Sequence, residues 1–144
     1  MHLRENLRQY VTDINIAAAE TGLPMMRPMF LQWPQDAGCE GVDVEDQFMF
    51  GPRWLVAPVT TYKSTSRTVY LPKLPQGQEW IYWYNMTSVG SGGARLTWSA
   101  PSIAEFPLYY IRDEWQYTDH PSAAPHANLG ARQQALLASA SSPL

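Results

Sequence analysis

Residues 2–21 repeat apolar side chains at the spacing of one helical face. Leu3, Leu7, Tyr10 or Val11, Ile14, Ala17 and Ala18 share it, while Arg4, Arg8, Gln9, Asp13 and Asn15 fall elsewhere. Gly22 followed by Pro24 is a helix stop of the expected kind. Beyond it the spacing changes. Two short apolar runs, 25–31 and 54–59, flank an acidic loop and the knot Asp46-Gln47-Phe48-Met49-Phe50-Gly51-Pro52. Each run is too short for a free-standing helix and is bounded by Pro or Gly, so both read as buried strands. The first is apolar on both faces except for Arg27, which suits a parallel strand covered on both sides. A helix with one apolar stripe must lie on something, and the strand that follows it is the natural candidate, as in the α-to-β step of a barrel.

From residue 54 the pattern becomes β-rich. Runs at 54–60, 67–71, 79–84, 95–99 and 108–112 are separated by turn-rich stretches at 63–66, 72–78, 85–94 and 100–107. Strands at such spacing predict an antiparallel sheet or sandwich. Tyr82-Trp83-Tyr84 presents rings to both faces, so at least one of them has an exposed or domain-facing role. Residues 113–144 lose the pattern. The stretch 119–125 has linker composition, and 128–140 offers only Leu129, Leu136 and Leu137 as apolar anchors, which predicts a marginal helix with a disordered end.

At 144 residues the chain is one domain or the end of something larger. A hydrophobic content of 45% with 16% charged residues belongs to a globular chain. The net charge is −3 and no cluster of Lys or Arg stands out, so neither nucleic acid nor an anionic membrane is an expected partner. No apolar run approaches the roughly 20 residues that span a bilayer. The first ten residues lack the apolar core of a signal peptide, and the compartment stays open. Cys39 is the single cysteine, which excludes an internal disulfide and a cysteine-based zinc or redox cluster. Six Trp and eight Tyr sit mostly between residues 54 and 117, where they serve either a β-layer core or sugar stacking.

Few side chains carry candidate chemistry. A buried Arg27 needs a carboxylate or several carbonyls as partners. Asp36, Glu40, Asp43, Glu45 and Asp46 cluster in the loop 34–46, where general acid–base work competes with plain solvation. Asp43 with Asp46 three residues on reads as a helix N-cap with a charge in the first turn. No calcium-loop pattern occurs, and no metal is expected. His120 and His126 lie in the tail, away from any expected site. Asn85-Met86-Thr87 is a glycosylation sequon, which matters if the protein is secreted.

One long combination of motifs resembles glycoside hydrolase family 31, the family of α-glucosidases and α-xylosidases. It comprises the stretch 22–30 (Gly22-Leu23-Pro24-Met25-Met26-Arg27-Pro28-Met29-Phe30), then Trp33-Pro34, Asp46-Gln47-Phe48-Met49-Phe50-Gly51, and Leu55-Val56-Ala57-Pro58-Val59. The order and spacing follow the family form G-x-P-x-M-R-P-L-F, F-P, D-x-Q-F-M-x-G, L-L-V-A-P-V over roughly residues 7–112. Three places depart from it: Gln32 replaces an acidic residue, Trp80-Ile81-Tyr82 replaces W-Y-D, and the closing segment 106–113 is altered.

The resemblance implies α/β followed by all-β: the last βα unit of a (β/α)8 barrel plus a proximal C-terminal antiparallel β-sandwich domain. Residues 1–52 would be the barrel end, with 46–51 its closing turn. Residues 53–112 would be the β-domain, and 113–144 a largely disordered tail. It also implies retaining hydrolysis of α-glucosides or α-xylosides by two carboxylates about 5–5.5 Å apart, without metal or cofactor. Both carboxylates belong to motifs this sequence lacks, so it is expected to contain no catalytic residue and to depend on a missing N-terminal barrel as its partner. Phe30, Gln32 and Trp33 would lie at the C-terminal barrel face. Trp33 is the candidate substrate-binding ring, with packing beneath the β-domain as its competing role. The alternatives are a non-catalytic carbohydrate-binding or interaction β-module, and a truncated product with exposed apolar faces at 3–18 and 25–31.

Overall fold

The computed structural model describes residues 2–41, 44–99 and 106–112. They fall into two compact units, 2–22 and 23–112. The sequon lies within them, whereas Asp43, His120, His126 and the 113–144 tail lie outside.

The first unit carries α1 (His2–Asn6) and α2 (Arg8–Thr21). The single helix expected over 2–21 departs from helical geometry at Leu7, whose φ and ψ are −88° and 0°. Backbone hydrogen bonds still run through the joint, from Leu7 N to Leu3 O at 3.0 Å and from Val11 N to Leu7 O at 2.8 Å. Ile14 is buried, and Leu3, Leu7, Tyr10 and Val11 are half-buried, so the expected stripe is present. It fades at Ala17, which is exposed. Gly22 ends α2 in the left-handed region at φ 75°, its N–H capping Ala18 O.

The second unit is antiparallel throughout its described pairings. Six strands form one sheet in the order β1-β2-β3-β8-β5-β6. In chain order these are β1 (Met26–Pro28), β2 (Phe48–Phe50), β3 (Trp54–Val56), β5 (Glu79–Tyr82), β6 (Thr87–Gly90) and β8 (Leu108–Arg112). A second sheet pairs β4 (Ser66–Leu71) with β7 (Ala94–Ser99), running from Ser66 opposite Ser99 to Leu71 opposite Ala94. Val69 and Leu71 from this pair share one core with Met49, Leu55, Trp80 and Tyr109 of the larger sheet. Packing sheet on sheet explains why residues 108–111 of β8 are all buried, in place of alternating with polar positions.

Four local expectations change. The run 25–31 is extended only over Met26–Pro28, then turns into the short helix α3 (Met29–Gln32). Pro28, with φ −63° and no N–H to give the ladder, ends the strand. β1 pairs antiparallel with β2 and is buried only at Arg27, so the doubly covered parallel strand does not appear among the described residues. The segment 46–51 is more than a closing turn, because Phe48–Phe50 pairs on both sides, with β1 and with β3. Thr87–Gly90 is a strand where turn residues predicted only a connection. Finally, the helix read as capped by Asp43 has its cap outside the described residues, and no helix continues from it through Asp46. Val44–Asp46 is a turn, and Asp36 instead caps a single 3-10 turn, Ala37–Cys39, by accepting the Gly38 N–H at 2.9 Å.

Candidate functional site

The stretch from β1 to the acidic loop holds Arg27, Phe30, Gln32, Trp33 and most of the candidate carboxylates that the sequence offers. Arg27, although buried, spans the short turn beneath α3. Its Nε donates to Pro24 O at 3.0 Å and its Nη1 to Gln32 Oε1 at 2.9 Å. Gln32 is thus a tether for the guanidinium. Among the described residues Arg27 makes no ion pair, and a carbonyl and an amide oxygen meet its need for partners.

Trp33 ends α3, its N–H bonding Met29 O at 3.0 Å. Its half-buried ring lies 6.0 Å from that of Trp80, tilted by 55°. Phe30 is 51% exposed, and with Leu23, Met26 and Leu31 it gives this end of the sheet a run of exposed apolar side chains. β1 is the edge strand there.

Three side chains pin the acidic loop to β4. Tyr70 Oη donates to Asp36 at 2.8 Å, and Arg95 lies 5.2 Å from the Tyr70 ring centre on the cation–π side. Gly38 sits so close to that ring that any Cβ there would collide with it. Gln47, fully buried, donates to Tyr70 O at 2.8 Å and accepts from Tyr70 N at 3.0 Å, acting as one more rung of a ladder. Asp46 accepts from Thr60 at 2.5 Å and from Arg67 Nη2 at 2.6 Å. Arg67 Nη1 also donates to Pro58 O. Sequence reasoning missed Gln47 as a tie, since a glutamine directly after Glu45 and Asp46 carries no burial signal.

These contacts bear on reactivity. Burial pushes the Asp46 carboxyl up, but the Thr60 hydroxyl and the Arg67 guanidinium together hold it below the usual carboxylate range. A carboxyl so held stays ionised and is a poor general acid. Burial, reinforced by Asp36 and Glu40, pushes the Cys39 thiol up to about 12, the opposite of an activated nucleophile. Burial first and the Asp36 contacts second raise Tyr70 to about 12. No group of three or more metal-ligating side chains occurs among the described residues. The arrangement braces a loop; it has no partner carboxyl poised for acid–base exchange.

The aromatic triplet does send rings to both faces. Trp83 packs edge-on against Trp54 at 5.0 Å, whereas Tyr82 stacks on Trp98 at 4.3 Å and leans on Tyr109. On the Tyr82 side, Trp98 Nε1 and Tyr109 Oη are buried without hydrogen-bond partners. Beside them Val89, Leu96, Thr97 and Trp98 line an open cleft of about 370 Å³.

Comparison with known proteins agrees in one direction. The profile described as the glycosyl hydrolase family 31 C-terminal domain matches residues 22–114. The isomaltosyltransferase of Sporosarcina globispora is 36% identical over 107 residues, covering 74% of this chain and 9% of that protein. An α-xylosidase of Emericella nidulans is 33% identical over 95 residues, covering 64% of this chain and 12% of its own. The crystal structure of a family 31 α-xylosidase from a soil metagenome, complexed with xylose, superposes with a TM-score of 0.68 at 36% identity. It covers 85% of this chain and 16% of that one. The chain therefore spans only a small part of the relatives it matches.

Proposed function

The chain belongs to glycoside hydrolase family 31, and from that premise we propose that these residues are the C-terminal portion of a retaining α-glycosidase acting on O-glycosyl bonds of α-glucosides or α-xylosides. Its two reactive carboxylates come from barrel strands outside the 144 residues, and the segment 1–52 is the barrel's closing βα unit. The observation that carries this reading is the exposed apolar edge at Met26, Phe30 and Leu31. A preceding barrel strand would cover that edge, since soluble chains seldom leave contiguous apolar surface bare. The bracing of Asp36 and Asp46 supports it further, because both carboxylates are engaged in holding the loop. Trp33 would then stand at the rim of the sugar pocket, fixed there by Trp80.

The test is incubation of the purified chain with aryl α-glucoside and aryl α-xyloside. No turnover is expected from the chain alone. Turnover should appear once it is joined to a family 31 barrel lacking its own C-terminal part. Hydrolysis by the isolated chain that an active-site-directed inhibitor abolishes would refute the proposal.

The cleft beside Trp98 favours a second reading, a non-catalytic β-module that holds carbohydrate. Quenching of Trp fluorescence on titration with oligosaccharides supports that reading, and flat titrations remove it.

A further inference from the structure

The sequence contains one Asn-x-Ser/Thr tripeptide, Asn85-Met86-Thr87, which the glycosidase reading leaves unused. It closes the hairpin between β5 and β6, at the free end of the six-stranded sheet. Tyr82 stands opposite Thr87 at the base of the turn. Asn85 and Thr87 are both exposed. Asn85 Oδ1 accepts the Thr87 backbone N–H at 3.1 Å, forming an Asx turn, and Met86 accommodates it with a φ of 58°.

That bond uses the carbonyl side of the amide. Nδ2 has no hydrogen-bond partner among the described residues, and neither does the Thr87 hydroxyl. An Asx turn folds the carboxamide toward the residue two positions on, so the amide nitrogen and the hydroxyl are presented together. The preceding residue, Tyr84, is 44% exposed, and Tyr82 braces its ring at 5.5 Å. A fixed aromatic surface thus lies next to the acceptor, suited to the apolar face of a first sugar.

We propose that Asn85 is an N-glycan acceptor. The donor is an oligosaccharide linked through a diphosphate to a lipid, and the transferring enzyme is supplied by a secretory pathway. A bond forms between Asn85 Nδ2 and the anomeric carbon as the anomeric C–O bond to phosphate breaks. Nδ2 gives up one proton, the lipid diphosphate leaves with the bonding pair, and nothing is oxidised or reduced.

Passage of the full chain, behind a secretory leader, through a eukaryotic host provides the test, read as intact mass before and after peptide-N-glycosidase. The wild-type chain is expected to carry a glycan mass that the enzyme removes. Asn85→Asp keeps an oxygen for the Thr87 N–H, and with it the turn, but lacks the nucleophilic nitrogen, so the added mass should vanish. Thr87→Val should remove it too, whereas Thr87→Ser should retain it. Tyr84→Ala should lower the occupied fraction. A wild-type chain secreted at its bare peptide mass beside an occupied control glycoprotein would overturn the proposal. So would a glycan that survives Asn85→Asp. Mass, not turnover, is the readout, so this result is independent of the glycosidase reading.

Discussion

β8 and β1 are both short, apolar and antiparallel to their neighbours, yet their surroundings are opposite. β8 lies between β3 and β5, and its residues 108–111 are all buried. Among the described residues β1 has β2 on one side only, and of its three residues Arg27 alone is buried. Apolar composition is similar in the two strands; the number of neighbouring strands among the described residues is not. The β-domain finishes its own core, and the edge at β1 does not. That contrast separates substitutions that should unfold the protein from substitutions that should change only what it associates with.

The largest effect belongs beside β8. Trp80 pairs with Ile111 of that strand, is fully buried, and donates its indole N–H to Pro72 O at 2.8 Å. Trp80→Ala removes this ring and leaves a cavity, with an expected loss of about 3–5 kcal/mol. Urea unfolding followed by circular dichroism measures it. Met26→Ala at the edge should change the same midpoint by less than about 0.5 kcal/mol. Comparable losses at the two positions would mean the edge is covered after all.

Next comes the tie between the acidic loop and the second sheet. Gln47→Ala leaves both the N–H and the C=O of Tyr70 buried without their partner. The expected loss is about 1–3 kcal/mol. Hydrogen exchange should locate the loosening at residues 36–47 and 70, with β8 unaffected. Exchange that accelerates evenly over the sheet would instead place Gln47 inside the same cooperative unit as the core.

Much of this contrast was legible in the sequence. The runs at 67–71, 95–99 and 108–112 correspond closely to β4, β7 and β8, because these strands carry enough β-branched and aromatic residues between clear turn signals. The family resemblance is matched by the family 31 C-terminal domain profile over residues 22–114. Other elements were hidden for identifiable reasons. Phe48–Phe50 is too short, and too closely followed by Gly51-Pro52, to announce a strand by itself. Thr87–Gly90 is mostly exposed, so no alternation marks it. At Met29–Gln32 the mostly apolar run 25–31 concealed a change from strand to helix, which the ring of Pro28 imposes. The candidate-site residues were nameable, but their roles were not. The roles of Gln32 and Gln47 depend on partners 5 and 23 positions away, which no local pattern encodes.

A smaller effect, visible only in acid, concerns Asp46. Its carboxyl titrates below the ordinary value because Thr60 and Arg67 outweigh the burial that would raise it. Folding therefore gains from its ionised form above the unfolded pKa of about 3.9, and loses that gain as pH falls through the lower folded value. Asp46→Asn should flatten the stability curve below about pH 4 and leave the slope between pH 5 and 7 unchanged. A chemical-denaturation series across pH tests this. A variant whose curve keeps the wild-type acid limb would assign that limb to other carboxyls.

The smallest effect on stability falls on the open edge, where the consequence for association is largest. Met26, on an edge strand with no charge at its outward positions, is 58% exposed, and Phe30 in the adjoining α3 is 51% exposed. Natural sheets protect such edges with lysine, proline or a covering element, and of these Pro28 is the one that β1 itself carries. Without a covering barrel, the isolated chain should self-associate through this face. Met26→Lys combined with Phe30→Ser should restore a monomer in size-exclusion chromatography while shifting unfolding by no more than about 0.5 kcal/mol per site. The same pair should weaken complementation by a family 31 barrel, because the surface removed is the one the barrel would cover. If the double variant elutes as the wild type does and still complements fully, the edge is ordinary solvated surface, and the contrast between β1 and β8 has no functional meaning.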